Sequence, residues 1–515
     1  MGTIDIQSLT VFIAIFVLVT VIGFISIRWR AGNLNRLQEW GLAGRRFGGW
    51  MSWFLLGGDV YTAYTYMAIP ALLFSGGALG FYAVPYTMLF YPLFFVFLPR
   101  LWTLAKHRGY VTAADFVRER FDSPLMALLV AITGIISTMP YIALQMLGMQ
   151  VVLAQMGVPV ELALFIAFLI LAGYTYISGL RAPAMMAAVK NGMVWIVVIL
   201  ALVIAVPRLG GWSHIFASVP QNHLLLTTSQ YSSYASLALG SAFALLLYPH
   251  ILTGMLSSNS REILKRNAFL LPAYNVLLGL ICLLGYLAFA SGIKSTNLSY
   301  HTNSILPAFF AQIFPGWFAG FAFAALVLGA LVPASIMSIA AANLFTRNIY
   351  REYIRPSCAE SEESKVARIV SLIVKAGALI FISVFPSTLA VNLQLLGGVW
   401  ILQTLPSVLI GLYTSWFHRG ALICGWAAGI IVGTWLVLVQ GGQSSAYPLS
   451  IGGVTISIYV ALIALPINLL ICVILTPILH TMGVSAGKDA LTPADFVDPP
   501  LSLSDPETFL KRNSL

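Results

Sequence analysis

An apolar segment near the start of the chain, from Trp53 to Pro70, contains a carboxylate, a pair of glycines and several hydroxyl side chains. An aspartate at the middle of a membrane helix costs roughly 2.5 to 3.5 kcal/mol on insertion scales, so Asp59 indicates a functional site with a partner. The adjacent Gly57 and Gly58 favour a break in the helix, and the backbone groups that a break frees must line a cavity. We therefore predict a broken helix at a transport site.

Asp59 has three interpretations that do not exclude one another. Aspartate is among the residues that best cap the start of a helix, so Asp59 could cap a half-helix that begins after the glycines. It could also carry a proton, or pair with a basic residue such as Lys190 in a later apolar span. Lys190 follows Arg181 closely, so its charged end could instead reach the membrane interface, and we interpret Lys375 as an interfacial or packing residue of this kind. Asp59 and Lys190 are the predicted ion-coupling residues.

A second polar interruption, Tyr248-Pro249-His250, divides a later apolar span. Histidine titrates near physiological pH, so His250 could gate or carry a proton, and a hydrogen-bonded core histidine is an equal alternative. Hydroxyl and amide side chains in the apolar spans supply the few polar groups that a small-solute site needs, and hydrogen bonds between helices are the other interpretation of each. The predicted substrate-binding residues are Gly58, Tyr61, Thr62, Tyr64, Tyr141, Gln145, Tyr248, His250, Tyr274, Asn275 and Gln403, and Gln394 is a further amide in such a span. A substrate carboxylate could also be held by backbone amides at the start of a half-helix after Asp59 or near Tyr248.

The composition is that of a protein with many membrane helices. Of the 515 residues, 59% are hydrophobic and only 9% are charged, and the mean hydropathy is +0.91. The net charge of +10 comes from basic residues in short connectors between apolar spans, which argues for the lipid bilayer and against nucleic acid as a partner. The four cysteines lack metal-ligand spacing, and no clustered nucleophile and base is visible. We expect no metal, no cofactor and no enzyme activity.

Windows of about 20 apolar residues predict an all-α polytopic protein with about thirteen membrane helices. They lie near 8–28, 48–72, 80–104, 124–156, 158–180, 184–206, 233–257, 267–291, 317–345, 367–386, 389–414, 420–440 and 453–478. Basic residues cluster in alternate connectors, which predicts an N-terminus outside and a C-terminal tail in the cytoplasm. Residues 112–121 are expected to form a capped amphipathic helix at the cytoplasmic face, and the tail to be a poorly ordered segment or a short surface helix.

We expect five regions along the chain. They are a first helix with a basic cytoplasmic connector (1–47), a five-helix repeat (48–206), a second five-helix repeat (233–414), two peripheral helices (415–478) and the cytoplasmic tail (479–515). Each five-helix set begins with a polar interruption, which fits the two inverted halves of secondary transporters.

Several stretches resemble the sodium:solute symporter family. They are Glu39 to Arg46, the broken second span, Gly109 to Phe116, Tyr248 to Thr253 and Asn343 to Tyr350. The resemblance covers about residues 10 to 480 and is closest to the bacterial monocarboxylate permeases. It implies an inverted five-plus-five helix core, alternating access, a bacterial inner-membrane location, and import of small organic solutes such as lactate, pyruvate, acetate or alanine.

The resemblance also implies a sodium site, and here its side chains are absent. In the family, backbone carbonyls at the first break, expected at Gly57 and Val60, face two adjacent hydroxyl residues on the span at 317–345. Those hydroxyl positions fall at Val332 and Pro333, with Gly329 as the third position on this helix, and the Thr-Asp pair often found on another span is replaced by Met186 and Ala187. Because hard cations need several oxygen ligands, we interpret this site as a degenerate sodium site.

These observations lead to one hypothesis and its alternatives. The ammonium group of Lys190 could occupy the space that a sodium ion would fill. Because a lysine changes its pKa readily when buried, Lys190 could also release and regain a proton and so couple proton movement to import of a small carboxylate substrate. The alternative is a sodium-coupled symporter of another small organic solute. A membrane sensor or a channel is the distant alternative, because the chain has no phosphate-binding signature and only a short tail.

Overall fold

The computed structural model describes residues 5–29, 32–384, 390–442, 444–451 and 454–497. Nearly all of these residues are helical, joined by turns and short 3-10 segments, and the described part contains one two-stranded sheet. The predicted all-α class is therefore confirmed apart from this hairpin.

In the described part of the chain nine α-helices precede residue 210. They are α1 (Ile6–Ile25), α2 (Leu37–Leu42), α3 (Gly49–Val60), α4 (Ile69–Gly76), α5 (Ala83–Arg108), α6 (Ala113–Phe121), α7 (Pro124–Gln155), α8 (Val160–Ser178) and α9 (Arg181–Arg208). Of these, α1, α4, α5, α7 and α9 belong to candidate membrane spans. The predicted amphipathic helix at 112–121 is confirmed as α6. Thr112 and Asp115 stand at the capping-box positions at its start, and the Asp115 carboxylate accepts the backbone amides of Val111 at 2.8 Å and Thr112 at 3.1 Å.

Thirteen further helices follow. They are α10 (Gly211–Ser218), α11 (Gln221–Leu224), α12 (Tyr231–Leu247), α13 (Pro249–Leu256), α14 (Arg261–Leu270), α15 (Ala273–Ala290), α16 (Ile305–Ile313), α17 (Gly316–Phe345), α18 (Glu360–Val384), α19 (Ala390–Ile401), α20 (Leu405–Val408), α21 (Arg419–Val439) and α22 (Ala461–Thr481). A π-helical segment, Thr346–Ile354, extends α17.

Between α21 and α22 the chain forms an antiparallel hairpin of β1 (Ala446–Ile451) and β2 (Val454–Tyr459). The predicted span beginning at 453 is therefore wrong at its start, and its helix begins at Ala461. The sequence of β2 is rich in β-branched residues, which favour extended backbone. Its last residue, Tyr459, is buried and donates a hydrogen bond of 2.6 Å to the Leu395 carbonyl, so the hairpin is anchored to α19.

Length and composition mark nine helices of the described chain as candidate membrane spans, or ten if α12 and α13, bent by 51° at their junction, count as one. One of the nine, Tyr64–Arg108, has 45 residues and includes both α4 and α5. A straight helix of that length would extend about 65 Å, so this stretch is longer than one crossing of a hydrocarbon core of about 30 Å requires. With at least nine candidate spans in the described chain, the protein is a multi-pass membrane protein. The count of about thirteen, the inverted repeat and the orientation of the termini stay predictions.

The centre of the structure is α17, whose whole apolar stretch is buried. It packs against α1, α7, α9, α13 and α18. By contrast, only 22% of the apolar stretch of α1, 33% of that of α21 and 28% of that of α22 are buried. A helix that is apolar on all sides belongs to the interior when other helices surround it, so α17 forms the core and the other three face lipid.

Candidate functional site

The predicted broken helix is confirmed, but the break lies after the glycine pair. Helix α3 continues through Val60, and Tyr61 then has extended backbone with φ −96° and ψ 90°. The chain resumes in a π-helical turn, Tyr64–Ala68, which leads into α4. The break therefore falls at Tyr61 and Thr62.

The glycines act through packing instead of through backbone freedom. A Cβ atom on Gly57 would lie 2.5 Å from the ring of Tyr274, and one on Gly58 would lie 3.2 Å from the Cβ of Ala187. Both glycines are inside α3. They allow α15 and α9 to approach this end of α3 closely, which a sequence pattern does not reveal.

The backbone amides freed by the break are bonded by side chains. The amide of Ala63 donates to Oε1 of Gln145 on α7 at 3.0 Å, and the amide of Tyr64 donates to Oγ1 of Thr62 at 3.1 Å. The Gln145 amide nitrogen in turn donates to the Tyr141 carbonyl at 3.2 Å. Helix α7 thus holds the amide side of the first break.

The carbonyl side of the break is bonded by Lys190. Its Nζ atom donates to the carbonyl oxygen of Gly58 and, at 2.7 Å, to that of Tyr61. The side chain is fully buried, so an interfacial position for Lys190 is wrong. The next residue, Asn191, also bonds this region, donating to the Phe54 carbonyl at 2.9 Å and to the Tyr274 hydroxyl at 3.1 Å. Helix α9 therefore joins the end of α3 through two consecutive polar side chains.

The carbonyls that Lys190 uses differ by one residue from the expected pair. The Gly57 carbonyl accepts the amide of Tyr61 at 3.1 Å, and the Val60 carbonyl accepts the Thr65 hydroxyl at 3.3 Å. Gly57 and Val60 are therefore bonded within their own segment. Lys190 instead bonds the carbonyls of Gly58, in the last turn of α3, and of Tyr61, directly after it.

Asp59 is buried beside this lysine, and neither of its carboxylate oxygens has a hydrogen-bond partner. It is the next to last residue of α3, so the proposed cap of a following half-helix is wrong. No ion pair within 4.0 Å joins Asp59 to Lys190 in the described chain. The C-terminus of a helix carries partial negative charge, so the position of Asp59 near the end of α3 does not stabilise a second negative charge.

The second predicted interruption is also present, where α12 ends and α13 begins. Tyr248 lies at the junction, and Pro249 opens α13 without needing a backbone donor. The Tyr248 hydroxyl donates to the Gln394 carbonyl at 2.9 Å. The rings of Tyr141, Tyr248 and His250 lie with their centroids 5.2 to 5.3 Å apart. Because Tyr141 and Gln145 both lie on α7, this helix contacts both interruptions.

Several buried polar atoms around the two breaks have no hydrogen-bond partner among the described residues. They are the hydroxyls of Tyr61 and Tyr141, both ring nitrogens of His250 and both amide atoms of Gln394. Folded proteins pair nearly all buried polar groups, so such a group of unpaired donors and acceptors indicates a place for a solute or water. Gln394 is absent from the predicted substrate-binding residues, although a polar amide within an apolar span is the same kind of signal that selected the others.

Other predicted residues have partners within the protein. The Tyr64 hydroxyl lies 2.5 Å from that of Tyr82. The Asn275 amide oxygen accepts from Thr87 at 2.8 Å, and the Gln403 amide oxygen accepts from Asn468 at 3.3 Å. These bonds join α15 to α5 and the segment after α19 to α22, which matches the alternative interpretation as interhelical bonds.

The expected sodium positions lie in the buried middle of α17. Val332 and Pro333 offer no side-chain oxygen, and a Cβ atom on Gly329 would lie 2.9 Å from the Tyr66 ring. The nearest hydroxyl after them, that of Ser335, donates to the Leu331 carbonyl at 2.8 Å. Within the described residues no group of three or more His, Cys, Asp or Glu side chains could hold a metal ion.

Comparison with known proteins identifies the family. The chain matches the sequence profile of the sodium:solute symporter family over residues 40–429. The monocarboxylate transport permease protein of Rhizobium johnstonii is 50% identical over 480 residues, covering 92% of this chain and 97% of that protein. YodF, an uncharacterised symporter of Bacillus subtilis, is 35% identical over 446 residues, covering 84% and 88%. The structure of a substrate-bound, outward-open Na⁺-coupled sialic acid symporter has the same fold, with a TM-score of 0.76 and 17% identity over 92% of this chain and 98% of that one. The protein is thus a transporter and not an enzyme, and the chain belongs to the sodium:solute symporter family.

Proposed function

We propose that this symporter imports short-chain monocarboxylates of the lactate, pyruvate and acetate class, with alanine as a further candidate, across the bacterial inner membrane. It does so by alternating access, coupled to protons. The family membership supports symport, and the 50% identical relative named a monocarboxylate transport permease supports the substrate class.

The observation that carries proton coupling is the position of the Lys190 ammonium on the carbonyls of Gly58 and Tyr61. An ammonium at these oxygens takes the ligands and the space that a sodium ion would need, and Val332 and Pro333 supply none of the remaining oxygens. A protonated Lys190 binds α9 to the end of α3 through two charge-assisted hydrogen bonds, and loss of the proton weakens both. Proton release from Lys190 therefore weakens the attachment of α9 to α3, the two helices at the proposed substrate site.

The proposed substrate site lies between the two breaks. Its unpaired donors, the Tyr61 and Tyr141 hydroxyls and a ring nitrogen of His250, suit a carboxylate, while the aromatic rings around them suit a short apolar chain. Thr62, Gln145, Tyr248 and Tyr274 position these groups. Gly58 allows close packing, and Tyr64, Asn275 and Gln403 act at the periphery through their interhelical bonds.

The test is uptake of a panel of labelled monocarboxylates by purified protein in liposomes, with proton and sodium gradients imposed separately. We expect saturable uptake driven by an inward proton gradient, and counterflow of preloaded substrate. Uptake driven only by a sodium gradient would establish the alternative, a sodium-coupled symporter, which the family name supports. Flux without saturation or counterflow would indicate a channel.

A further inference from the structure

A cavity lies between the second break and α6. Its lining includes Leu247 and Pro249, which flank Tyr248, and Thr112 and Ala113 at the start of α6. The remaining lining is mostly apolar and comes from α7, α13, α17 and the segment from α19 to α20. The start of α6 is therefore part of the cavity wall, and a displacement of α6 would change access to the cavity.

Helix α6 is held in this position at both ends. At its start, the Thr112 hydroxyl donates to the Asn348 amide oxygen at 2.7 Å, and the Asn348 amide nitrogen donates to Asp115 at 2.6 Å. At its end, Arg120 donates to the Gly411 carbonyl at 3.0 Å and to the Asp489 carboxylate at 2.8 Å. The second of these partners belongs to the C-terminal segment.

The C-terminal segment 484–497 makes several further contacts with α5 and α6. The Ala490 amide donates to the Glu119 carbonyl at 3.0 Å. Arg108 donates to both carboxylate oxygens of Asp495, at 2.8 and 2.7 Å, and to the Ala490 carbonyl at 2.9 Å. The guanidinium of Arg100 lies 4.2 Å from the centre of the Phe496 ring. Of the two descriptions predicted for the tail, a poorly ordered segment is wrong for residues 484–497, because three arginines and the end of α6 bind them. The other, a short surface helix, matches the 3-10 helix Pro493–Phe496.

We propose that residues 484–497 form a strap that restrains α6 and thereby slows opening of this cavity to the cytoplasm. The inference rests on the proposed transport function, but the experiment that tests it does not require transport. Helix α6 packs against α7 and α20, whereas the arginines of α5 keep the strap on that helix. Moving α6 away from α7 and α20 would therefore separate Arg120 from Asp489 and Glu119 from Ala490, so the strap adds their interaction energy to the barrier for opening. Release of the strap should increase the fraction of time that the cavity is open.

The experiment measures strap release and cavity opening separately. Lys488 lies in the strap, and its backbone amide donates to Asp122 at 3.3 Å, so tryptic cleavage after Lys488 reports detachment of the segment. Thr253 lines the cavity, so the labelling rate of Thr253→Cys by N-ethylmaleimide reports its opening. The labelling background has the four native cysteines replaced by alanine, and this background without Thr253→Cys is the blank.

In the double variant Asp489→Asn and Asp495→Asn, we expect both cleavage and labelling to be about fivefold faster, the effect of losing two partly buried ion pairs. The exchanged pair Arg108→Asp with Asp495→Arg should protect Lys488 better than either single variant. Faster cleavage with unchanged labelling would overturn the proposal. If the double variant changes neither rate, a chain truncated after residue 483 decides, and unchanged labelling there also overturns it. Neither measurement needs transport, so failure of the proposed function would leave these results unaffected.

Discussion

The ammonium group of Lys190 donates a hydrogen bond of 2.7 Å to the carbonyl oxygen of Tyr61, at the residue where α3 ends. The lysine is fully buried, and its other described partner is the Gly58 carbonyl. A cation is thus placed on the carbonyl groups of a helix break that a membrane interior would otherwise leave unpaired. This relationship links the fold to the proposed coupling mechanism.

Lys190→Met should separate coupling from transport. The variant leaves the Gly58 and Tyr61 carbonyls without a donor, and it has no group at this position that can gain or lose a proton. We expect proton-driven accumulation of substrate in liposomes to fall at least about tenfold, the loss expected for a charged hydrogen-bond donor.

The matched control is Lys375→Met. Lys375 is also fully buried, but its Nζ atom has no hydrogen-bond partner in the described chain. Of its two predicted roles, an interfacial residue is therefore wrong and a packing residue agrees with the structure. Removing an unpaired buried charge should leave coupling unchanged and should not lower the melting temperature. Equal losses of coupling in both variants would show that any buried lysine is needed, and would contradict the specific role of Lys190.

Asp59→Asn tests the carboxylate beside the lysine. Both oxygens of Asp59 lack partners, so the amide removes no hydrogen bond, and we expect the thermal stability in detergent to be unchanged or higher. If the Asp59 charge sets the protonation of Lys190, the pH dependence of proton-driven uptake should shift in this variant. Unchanged uptake at every pH would remove Asp59 from the coupling mechanism.

Gly57→Ala should destabilise the protein, whereas Gly192→Ala should not. Both glycines are inside helices, but a Cβ atom at residue 57 would lie 2.5 Å from the Tyr274 ring, and one at residue 192 meets nothing within 4 Å. We expect Gly57→Ala to lower the free energy of unfolding by about 1–3 kcal/mol, and Gly192→Ala to raise it by up to about 1 kcal/mol. Melting temperatures measured by tryptophan fluorescence in one detergent provide the comparison, and equal shifts would contradict the packing role.

The sequence predicted which two apolar spans are broken, but not the residue at which the first break falls or how its polar groups are used. Asp59 and the Tyr248 region stand out because polar groups are rare in apolar spans, and that signal needs no knowledge of packing. The exact end of α3, the contacts of Gly57 and the bond between Asn275 and Thr87 depend on which helix is adjacent. The residue pattern of one segment does not indicate which helix packs against it.

The hairpin shows a different limit. Residues 454–459 are apolar enough to be taken for the start of a membrane helix, and only pairing with 446–451 fixes them as a strand. Hydropathy measures transfer into an apolar environment, which a buried strand and a membrane helix share. The position of Lys190 is a similar case, because only its hydrogen bonds to Gly58 and Tyr61 distinguish a lysine buried at the break from one that reaches the interface.

The strap should remain bound throughout the pH range used for transport assays. Two hydrogen bonds from Arg108 hold the pKa of Asp495 well below its usual range. A lowered pKa means that the carboxylate's contribution is complete above the ordinary carboxyl pKa, and is lost only as pH falls through the lowered value. We expect the rate of cleavage after Lys488, corrected for trypsin activity, to be the same at pH 6 and pH 8. A faster rate at pH 6 would show that another titrating group controls the strap.

Two tyrosine substitutions should separate binding from stability at the proposed substrate site. The Tyr141 hydroxyl has no hydrogen-bond partner among the described residues, so Tyr141→Phe removes an unpaired buried group and should leave the melting temperature unchanged or higher. The Tyr248 hydroxyl donates to the Gln394 carbonyl at 2.9 Å, so Tyr248→Phe should lower the free energy of unfolding by about 1 kcal/mol.

If the free hydroxyl of Tyr141 binds the substrate carboxylate, Tyr141→Phe should raise the KM for uptake by about tenfold, the effect of one hydrogen bond to a charged group. Melting measured by fluorescence gives the stability, and liposome uptake at a series of substrate concentrations gives the KM. An unchanged KM together with unchanged stability would show that the Tyr141 hydroxyl contacts water and not substrate.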